Sequence, residues 1–347
     1  MGAPLMVEEV VAALPMPALA ISHNEQIIAL NTAAQNLLGM PAKGRHFITV
    51  LRQPAVVEAV EACLAGANRT SAEYLTREGG NDVTYTVDAS AMGGNGTALL
   101  TFQDITHINA AGQMRRDFVA NVSHELRTPL TALMGFIETL RGPARDDANA
   151  RERFLEIMTT ETERMNRLVG DLLSLSRVED GERVRPDTRI NVLDALNATL
   201  RNLNPIASEA NVVLVPDLPD APVMLTGDMD QLTQVLTNLI ENAIKYGGRD
   251  KRVYISVSEP AQVRTLRAAG VVITVRDEGA GIAARHLPRL TERFYRADDH
   301  RNRALGGTGL GLAIVKHILN RHRGRMKFAS EIGQGTVVTV ELPLEQV

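Results

Sequence analysis

Hydrophobic residues along the chain change their spacing twice, and these changes divide the sequence into three parts. Up to about residue 107, short apolar runs such as Ala18–Ser22 and Gln26–Leu30 alternate with turn signals rich in Gly and Asn. Runs of this kind predict short strands, while residues 31–66 have the spacing of short helices. We therefore expect a small α+β domain over residues 5–107.

Between residues 108 and 182 the apolar residues recur every three or four positions. A first stripe ends at Leu140, a polar loop with Gly142 and Pro143 follows, and a second stripe begins at Phe154. Glu161 occupies the one position of the second stripe that is not apolar. Two such helices predict an αα-hairpin, and stripes of this kind usually bury against a second copy. We expect a homodimeric four-helix bundle with two helices from each chain.

From residue 183 to residue 347 strands and helices mix again, with glycine clusters at 279–281, 306–311 and 333–335. This pattern predicts a C-terminal α/β domain of a size that can hold a ligand by itself. The predicted fold class is therefore multidomain α+β, with a helical hairpin between two mixed domains.

Composition narrows the class of protein further. The 347 residues carry 37 Lys and Arg against 41 Asp and Glu, a net charge of −4, which argues against a dedicated nucleic-acid binder. The single cysteine, Cys63, excludes an internal disulfide framework. No uncharged run reaches the roughly 18 apolar residues of a membrane span, and the first ten residues lack the basic residues of a signal peptide. We expect a cytoplasmic protein with no direct membrane span, with membrane attachment only if an N-terminal segment is missing.

One histidine of the first long helix stands out by its position. His124 lies about 200° around the helix from the apolar Val122, on the side opposite the stripe. Such a histidine is usually only a surface residue, but Pro129 leaves the Glu125 carbonyl without its helical partner. The alternatives are a plain kink and mobility placed beside an exposed imidazole. A neutral imidazole has a nucleophilic nitrogen, and a carboxylate on its other nitrogen would fix the tautomer. Adjacent helical residues diverge by about 100°, so whether Glu125 reaches the ring is a matter of geometry.

A second group of polar residues lies on a helix of the C-terminal domain. Asn238, Asn242 and Lys245 follow one edge of its apolar face, and Asp228 is placed to cap the helix. Polar residues in such positions are often only solvated. Asparagines four residues apart, however, offer oxygen ligands and donors that suit Mg²⁺ and phosphate.

The glycine clusters point to the same kind of ligand. Asp277 follows the apolar strand Val271–Val275, and Gly279 and Gly281 after it allow the backbone to approach a flat ring. By itself this short pattern often marks an ordinary turn. Gly306–Leu312 opens a helix, where glycine amides favour phosphate. This segment has neither the Rossmann G-x-G-x-x-G spacing nor the Gly-Lys pair of a Walker A loop.

The segment Phe118–Leu130, which reads Phe-Val-Ala-Asn-Val-Ser-His-Glu-Leu-Arg-Thr-Pro-Leu, resembles the H-box of two-component sensor histidine kinases. The resemblance implies that His124 accepts the γ-phosphoryl group of ATP and that Glu125 acts as its base and orienter. Glu125 and Thr128 match the family's Glu-x-x-Thr/Asn phosphatase motif. This match implies that Thr128 positions a water to hydrolyse the phosphorylated regulator.

Further segments resemble the other sequence boxes of these kinases, in family order. Residues 238–246 resemble the N-box, and the clusters at 277–281 and 306–312 resemble the G1 and G2 boxes of the gyrase-like ATP-binding fold. Residues 290–296 resemble the F-box, and residues 333–336 the last glycine box. The C-terminal domain is thereby expected to be an α/β sandwich of the gyrase-like kind, with an ATP lid over residues 282–306.

The resemblance also assigns roles to single residues. Asn242 is expected to hold Mg²⁺, and Asp277 is expected to bond the amino group of adenine. The other residues expected at the ATP site are Asn238, Lys245, Tyr246, Gly279, Gly281, Phe294, Gly307, Thr308, Gly309, Leu310, Gly311 and Thr336.

The N-terminal part carries a weaker resemblance. Leu14–Gly39 looks like part of a PAS sensor domain of the kind found in phosphate-sensor-type kinases. We expect Asn31 to be a turn or cap residue, and we expect His46, His107 and Cys63, which are isolated, to have structural roles.

Together these features predict a dimeric, ATP-dependent protein histidine kinase. The phosphoryl group would pass from His124 to an aspartate of a response-regulator receiver domain, docked across Ala132–Glu138 and the facing helix. The alternative is a nucleotide-binding signalling scaffold or phosphatase without kinase output. A strand-opening ATPase of the gyrase type is disfavoured by the acceptor helix.

Overall fold

The computed structural model describes residues 7–92, 96–181, 184–297 and 307–345. The chain forms two compact units that divide after Ala120. Each unit is described by itself, and the long helix Thr106–Arg141 begins in the first unit and ends in the second. The division into three domains stays a prediction.

The N-terminal unit is built on a five-stranded antiparallel sheet of order β2-β1-β5-β4-β3. The segment between β2 and β3 contributes Phe47, Leu51 and Val56 to a core shared with Leu19 and Phe102 of the sheet. The α+β character predicted for this part is confirmed. Its elements are α1 (Val7–Ala13), β1 (Ala18–Ile21), β2 (Ile27–Leu30), α2 (Thr32–Leu38), α3 (Phe47–Val50), α4 (Pro54–Leu64), β3 (Arg69–Glu78), β4 (Asn81–Met92) and β5 (Thr97–Asp104).

The side-chain amide of Asn31 forms hydrogen bonds with three backbone segments near the start of this unit. Its Oδ1 accepts the backbone amides of Ala34, at 2.9 Å, and Ala18, at 3.1 Å. Its Nδ2 donates to the carbonyls of Leu14 and Met16 at 3.1 and 2.8 Å. Asn31 is thus the N-cap of α2 and also a link to β1. The prediction of a cap residue is confirmed.

Two long helices follow, α5 (Thr106–Arg141) and α6 (Ala148–Gly181), with a short turn between them. They form the predicted hairpin, and α5 continues through Pro129. Large apolar side chains of both helices are exposed on the single chain: Leu130, Met134 and Ile137 on α5, and Leu155, Val169 and Leu173 on α6.

The rest of the second unit is a two-layer α/β sandwich. Three helices, α7 to α9, pack against a six-stranded sheet of order β12-β13-β11-β9-β7, with β10 paired to β11. Among the strands that the structure describes in this sheet, β7 and β9 alone pair in parallel. The elements are β6 (Arg189–Asn191), α7 (Val192–Glu209), β7 (Val213–Asp217), β8 (Met224–Thr226), α8 (Met229–Gly247), β9 (Arg252–Val257), β10 (Ala261–Val263), β11 (Ala268–Asp277), a 3₁₀ helix (Ala284–Arg289), α9 (Gly311–Arg321), β12 (Arg325–Glu331) and β13 (Gly335–Pro343).

Helix α8 has the amphipathic character that its sequence predicts. Leu232, Val235 and Leu239 are buried on its apolar face. Asp228 is its N-cap, with the side chain accepting from the backbone amide of Gln231 at 3.2 Å. In the described part of the chain, no helix combines the length and the apolar content needed to cross a membrane.

Candidate functional site

Asp277 lies at the end of β11 and is 6% exposed. Its Oδ1 accepts two backbone amides, from Gly279 at 2.8 Å and from Thr336 at 3.2 Å. Burial raises the pKa of Asp277, and these amide hydrogen bonds act in the opposite direction because they stabilise the carboxylate. The side chain is therefore fixed through one oxygen at a buried strand end.

The glycines after Asp277 allow a close approach of backbones. A Cβ on Gly279 would lie 2.3 Å from the carbonyl oxygen of Tyr246, at the end of α8. Gly281 has a φ of +71°, and a Cβ there would lie 1.9 Å from the carbonyl oxygen of Glu331. A side chain at either position would displace backbone, so these residues must be glycine for the turn to pack as it does.

The glycine-rich loop before α9 meets the predicted F-box and N-box. The amide of Phe294 donates to the carbonyl of Gly309 at 2.9 Å. Gly311 faces Asn238, whose Oδ1 would lie 2.9 Å from a Cβ on the glycine. Leu310 is fully buried, and its amide donates to Thr308 Oγ1 at 3.3 Å. The structure thus brings the G2, F and N segments to one surface.

Positive charge accumulates at this surface. Arg296 Nη1 donates to the carbonyl of Gly307 at 3.1 Å, and a Cβ on that glycine would lie 2.6 Å from Lys245 Nζ. The Lys245 ammonium also lies 5.1 Å from the ring centroid of Tyr246. Burial, with the positive charges of Arg296 and Arg167, lowers the pKa of Lys245 to about 8. A site with this excess of cations suits a polyphosphate, because the anion relieves their repulsion.

The predicted magnesium ligand is Asn242, whose side chain carries an amide oxygen. It is partly buried on α8, one turn after Asn238 and three residues before Lys245. Mg²⁺ is commonly held by one or two protein oxygens together with substrate phosphates and waters, so one amide oxygen beside a phosphate site is a suitable donor. Within the described residues, no group of three or more His, Cys, Asp or Glu is arranged to hold a metal.

His124 is exposed on α5, as predicted from its position opposite the apolar stripe. The hydroxyl of Thr128, one turn further on, donates to the backbone carbonyl of His124 at 3.1 Å. Glu125 Oε2 pairs with Arg164 Nη2 of α6 at 3.1 Å. The side chain of Glu125 therefore points across the hairpin toward α6. The sequence pattern alone does not predict this ion pair.

Helix α6 also contacts elements of the predicted nucleotide site, and the sequence pattern does not predict these contacts. The hydroxyl of Thr308 donates to Asp171 Oδ2 at 2.6 Å. Glu179 pairs with Arg293 and lies 3.4 Å from His317 Nε2. One sequence feature could have indicated these contacts: a row of polar residues on one side of α6, next to Leu175 and Val178, which are buried in the structure.

Most of the predicted site residues thus fall into two groups within the second unit. Around the G2 loop, contacts join Asn238, Lys245, Tyr246, Asp277, Gly279, Phe294, Thr336 and the residues 307–311 in overlapping pairs. His124, Glu125 and Thr128 form the second group on α5. The part of the predicted lid over residues 298–306 lies outside the described residues.

Two family models match this chain. Residues 114–181 match the His Kinase A (phospho-acceptor) domain, and residues 227–346 match the histidine kinase-, DNA gyrase B- and HSP90-like ATPase. The first match contains His124 and the second contains Asp277. Together they cover the hairpin and most of the C-terminal sandwich.

Similar proteins include two curated sensor kinases. The phosphate regulon sensor protein PhoR of Pseudomonas aeruginosa is 41% identical over 256 residues, 73% of this chain and 56% of the relative. The sensor histidine kinase WalK of Bacillus subtilis is 33% identical over 351 residues, 97% of this chain and 55% of the relative. The chain spans about half the length of these relatives.

A solved structure matches the chain along almost its whole length. It is the histidine kinase ThkA, crystallised in complex with the response regulator protein TrrA, with a TM-score of 0.53 and 20% identity. The match covers 98% of each chain. At this identity the likeness shows the fold.

Proposed function

Because the chain belongs to the two-component sensor histidine kinases, we propose that it phosphorylates its own His124 with ATP and passes the phosphoryl group to an aspartate of a response-regulator receiver domain. The observation that carries this proposal is the convergence of the buried Asp277, the glycine-rich loop and Lys245 on one surface. The same unit contains an exposed histidine followed by a glutamate.

In this proposal the nucleotide is held at both ends. Asp277 is fixed through Oδ1, and Oδ2 would accept the amino group of adenine. Gly279 and Gly281 let the backbone approach the ring. The amides of residues 307–311 and the start of α9 would bind the phosphates, with Lys245 contributing positive charge. The remaining contacts are assigned to Asn238, Tyr246, Phe294, Leu310 and Thr336.

Asn242 would hold Mg²⁺ through its amide oxygen, beside the phosphates. When bound, the ion supplies positive charge that offsets the charge on the transferring group. The chain itself positions the triphosphate through the backbone of the glycine-rich loop and through Lys245.

The proposed transfer begins with an imidazole nitrogen of His124. Its lone pair forms a bond to the γ-phosphorus as the bond to the bridging oxygen breaks, and ADP leaves with that electron pair. Glu125 would hold the proton on the other ring nitrogen, which fixes the tautomer and stabilises the charge that develops on the ring. A carboxylate oxygen of the receiver aspartate would then bond to that phosphorus as its bond to the His124 nitrogen breaks, and the imidazole leaves with that electron pair.

We also propose the assembly and the partner. The exposed apolar side chains of α5 and α6, among them Leu130, Met134 and Leu173, would be buried in a homodimeric four-helix bundle. The receiver domain would dock across Ala132–Glu138 and the facing helix. ATP and such a receiver place the working site in the cytoplasm.

The N-terminal unit is proposed to be a PAS-like sensor domain. The strand order β2-β1-β5-β4-β3, with helices between β2 and β3, supports this assignment together with the resemblance of Leu14–Gly39.

A second activity is proposed for the same helix. Thr128 is exposed one turn after His124, so its hydroxyl could position a water that hydrolyses the phosphorylated regulator. The chain would then act as kinase and as phosphatase. A phosphatase or nucleotide-binding scaffold without kinase output is the alternative.

Incubation of the full chain with γ-labelled ATP tests the proposal. We expect label on the protein that is labile to acid and stable to base, and that is absent from His124→Gln. His107→Gln is the matched control, because His107 is exposed on the same helix, and it should label normally. An unlabelled native chain, or label that survives His124→Gln, would reject the kinase function.

A further inference from the structure

Glu161 is the polar residue that interrupts the apolar stripe of α6, and its environment is unusual. Its Oε2 is buried, and among the described residues no group donates a hydrogen bond to it. Arg164 Nη1 lies 3.7 Å from this oxygen, beyond hydrogen-bond distance. A buried carboxylate oxygen without a hydrogen bond is costly, so its place in a helix seam needs an explanation.

Arg164 lies between Glu161 and a second carboxylate, that of Glu125. The same guanidinium that faces Glu161 through Nη1 pairs through Nη2 with Glu125 Oε2 at 3.1 Å. The Arg164 side chain is 23% exposed, so it is screened from solvent more than a surface arginine would be. Glu161, Arg164 and Glu125 therefore form a row of alternating charges that crosses from α6 to α5 and ends one residue after His124.

A row of this kind can orient a carboxylate. Consecutive helical residues point about 100° apart, so Glu125 has no intrinsic direction toward the ring of His124. A guanidinium is planar and rigid, and the hydrogen bond from Arg164 Nη2 to Oε2 restrains the carboxylate of Glu125. Glu161 attracts the same guanidinium at 3.7 Å without a hydrogen bond, and this attraction favours the position in which Arg164 reaches Glu125.

We propose that Arg164, held by Glu161, is a positioning residue for Glu125, keeping Oε2 engaged so that Oε1 is presented to the imidazole of His124. This inference rests on the proposed histidine kinase function. Arg164 touches no reacting atom, and in this proposal its effect on the rate passes through Glu125. The polar interruption of the stripe at Glu161 thereby acquires a role in phosphoryl transfer.

The test compares initial rates of His124 labelling in the full chain across a range of ATP concentrations. Arg164→Gln should lower kcat about tenfold and leave the KM for ATP within about twofold, because the nucleotide site is intact. Arg164→Lys should recover part of the loss, since it keeps the charge but not the rigid fork. Arg153→Gln, an exposed position on the same helix, is the matched control and should behave as the native chain.

A double-mutant cycle separates positioning from a general structural effect. In a Glu125→Gln background, Arg164→Gln should cause no further loss of kcat, because the carboxylate that it positions is gone. Glu161→Gln should lower kcat about threefold in the native chain and not at all beside Arg164→Gln. Equal losses in both backgrounds, an unchanged rate or a faster rate in Arg164→Gln would each overturn the proposal.

Different results reject the kinase function and the positioning role of Arg164. A native chain without label at His124 would reject the kinase function itself. A native chain that labels at His124, with Arg164→Gln and Arg164→Lys both as fast as Arg153→Gln, would reject only the positioning role. Nucleotide affinity and oligomeric mass of each variant, both expected to match the native chain, show that a lost rate is not a lost fold.

Discussion

The hydroxyl of Thr308 donates to Asp171 Oδ2 at 2.6 Å, which ties the glycine-rich loop to helix α6. Burial raises the pKa of Asp171, while the Thr308 bond and the charge of Arg167 act in the opposite direction. Thr308 lies among the residues proposed to bind the phosphates. A phosphate oxygen that takes this hydroxyl must therefore displace Asp171.

Removal of that acceptor should tighten nucleotide binding. Asp171→Ala leaves the Thr308 hydroxyl available to phosphate, and since a typical intramolecular hydrogen bond has a net worth of about 1 kcal/mol, we expect the Kd for ATP to fall about fivefold. Isothermal titration of the full chain with ATP measures this. Asp171→Asn keeps an acceptor oxygen and is the control. Its Kd for ATP should change less than that of Asp171→Ala. Weaker binding in Asp171→Ala would contradict the competition.

Asp277 is expected to select adenine. In Asp277→Asn the side-chain oxygen can still accept the amides of Gly279 and Thr336, but an amino group then faces the amino group of adenine. Affinity for ATP should fall at least about tenfold, because a hydrogen bond to a charged group is worth about 1.5–3 kcal/mol. Guanine carries an acceptor oxygen at the equivalent position, so the preference for ATP over GTP should narrow.

Asp277→Ala is the control for this change of preference. It should lose affinity for ATP without gaining any for GTP, because it offers neither a donor nor an acceptor. Competition binding with both nucleotides measures the ratio. A ratio that is the same in Asp277→Asn and in the native chain would show that Asp277 does not read the base.

Local patterns predicted those parts of the site that depend on neighbours in sequence. The cap at Asp228, the exposure of His124 and the strand end at Asp277 follow from helical or strand periodicity and from capping chemistry. The structure bears out all three. Asn31, expected to be a turn or cap residue, is the N-cap of α2.

Contacts between distant segments cannot be predicted from local sequence patterns. Asp171 and Thr308 are 137 residues apart, and Arg164 lies 39 residues from Glu125. The residue types and their spacing on α6 do not specify which element its polar face contacts, because polar residues on a helix usually face solvent. Only the packing of the hairpin and the sandwich within one unit determines these pairs.

Asn31 allows a matched test of the N-terminal unit. Asn31→Asp keeps the acceptors for the amides of Ala18 and Ala34 but loses both donors, to Leu14 and Met16. Asn31→Ala loses all four hydrogen bonds and the helix cap, so we expect its free energy of unfolding to fall by about 2–4 kcal/mol. The fall should be smaller for Asn31→Asp. Hydrogen exchange of residues 18–38 in the full chain measures both. Equal protection in the two variants would contradict the role of the donors.

His322 should make the nucleotide-binding sandwich sensitive to acid. The ring is fully buried, with Nε2 accepting the amide of Asp228 at 3.0 Å and Nδ1 donating to the carbonyl of Ile318 at 2.8 Å. Burial lowers the pKa of His322. The unfolded chain therefore takes up a proton near pH 6.5, while the folded chain stays neutral to lower pH.

The sign of the pH dependence follows from this difference. Below about pH 6.5 the unfolded state binds more protons, so stability falls with falling pH, by up to about 1.4 kcal/mol per pH unit, until the folded ring also protonates. His322→Gln removes the titrating group. It should be less stable than the native chain near neutral pH, and this deficit should shrink as the pH falls. Urea unfolding followed by circular dichroism from about pH 5 to about pH 8 measures both, with His107→Gln as the control. A deficit that stays constant over this range would exclude His322 as the source of the acid sensitivity.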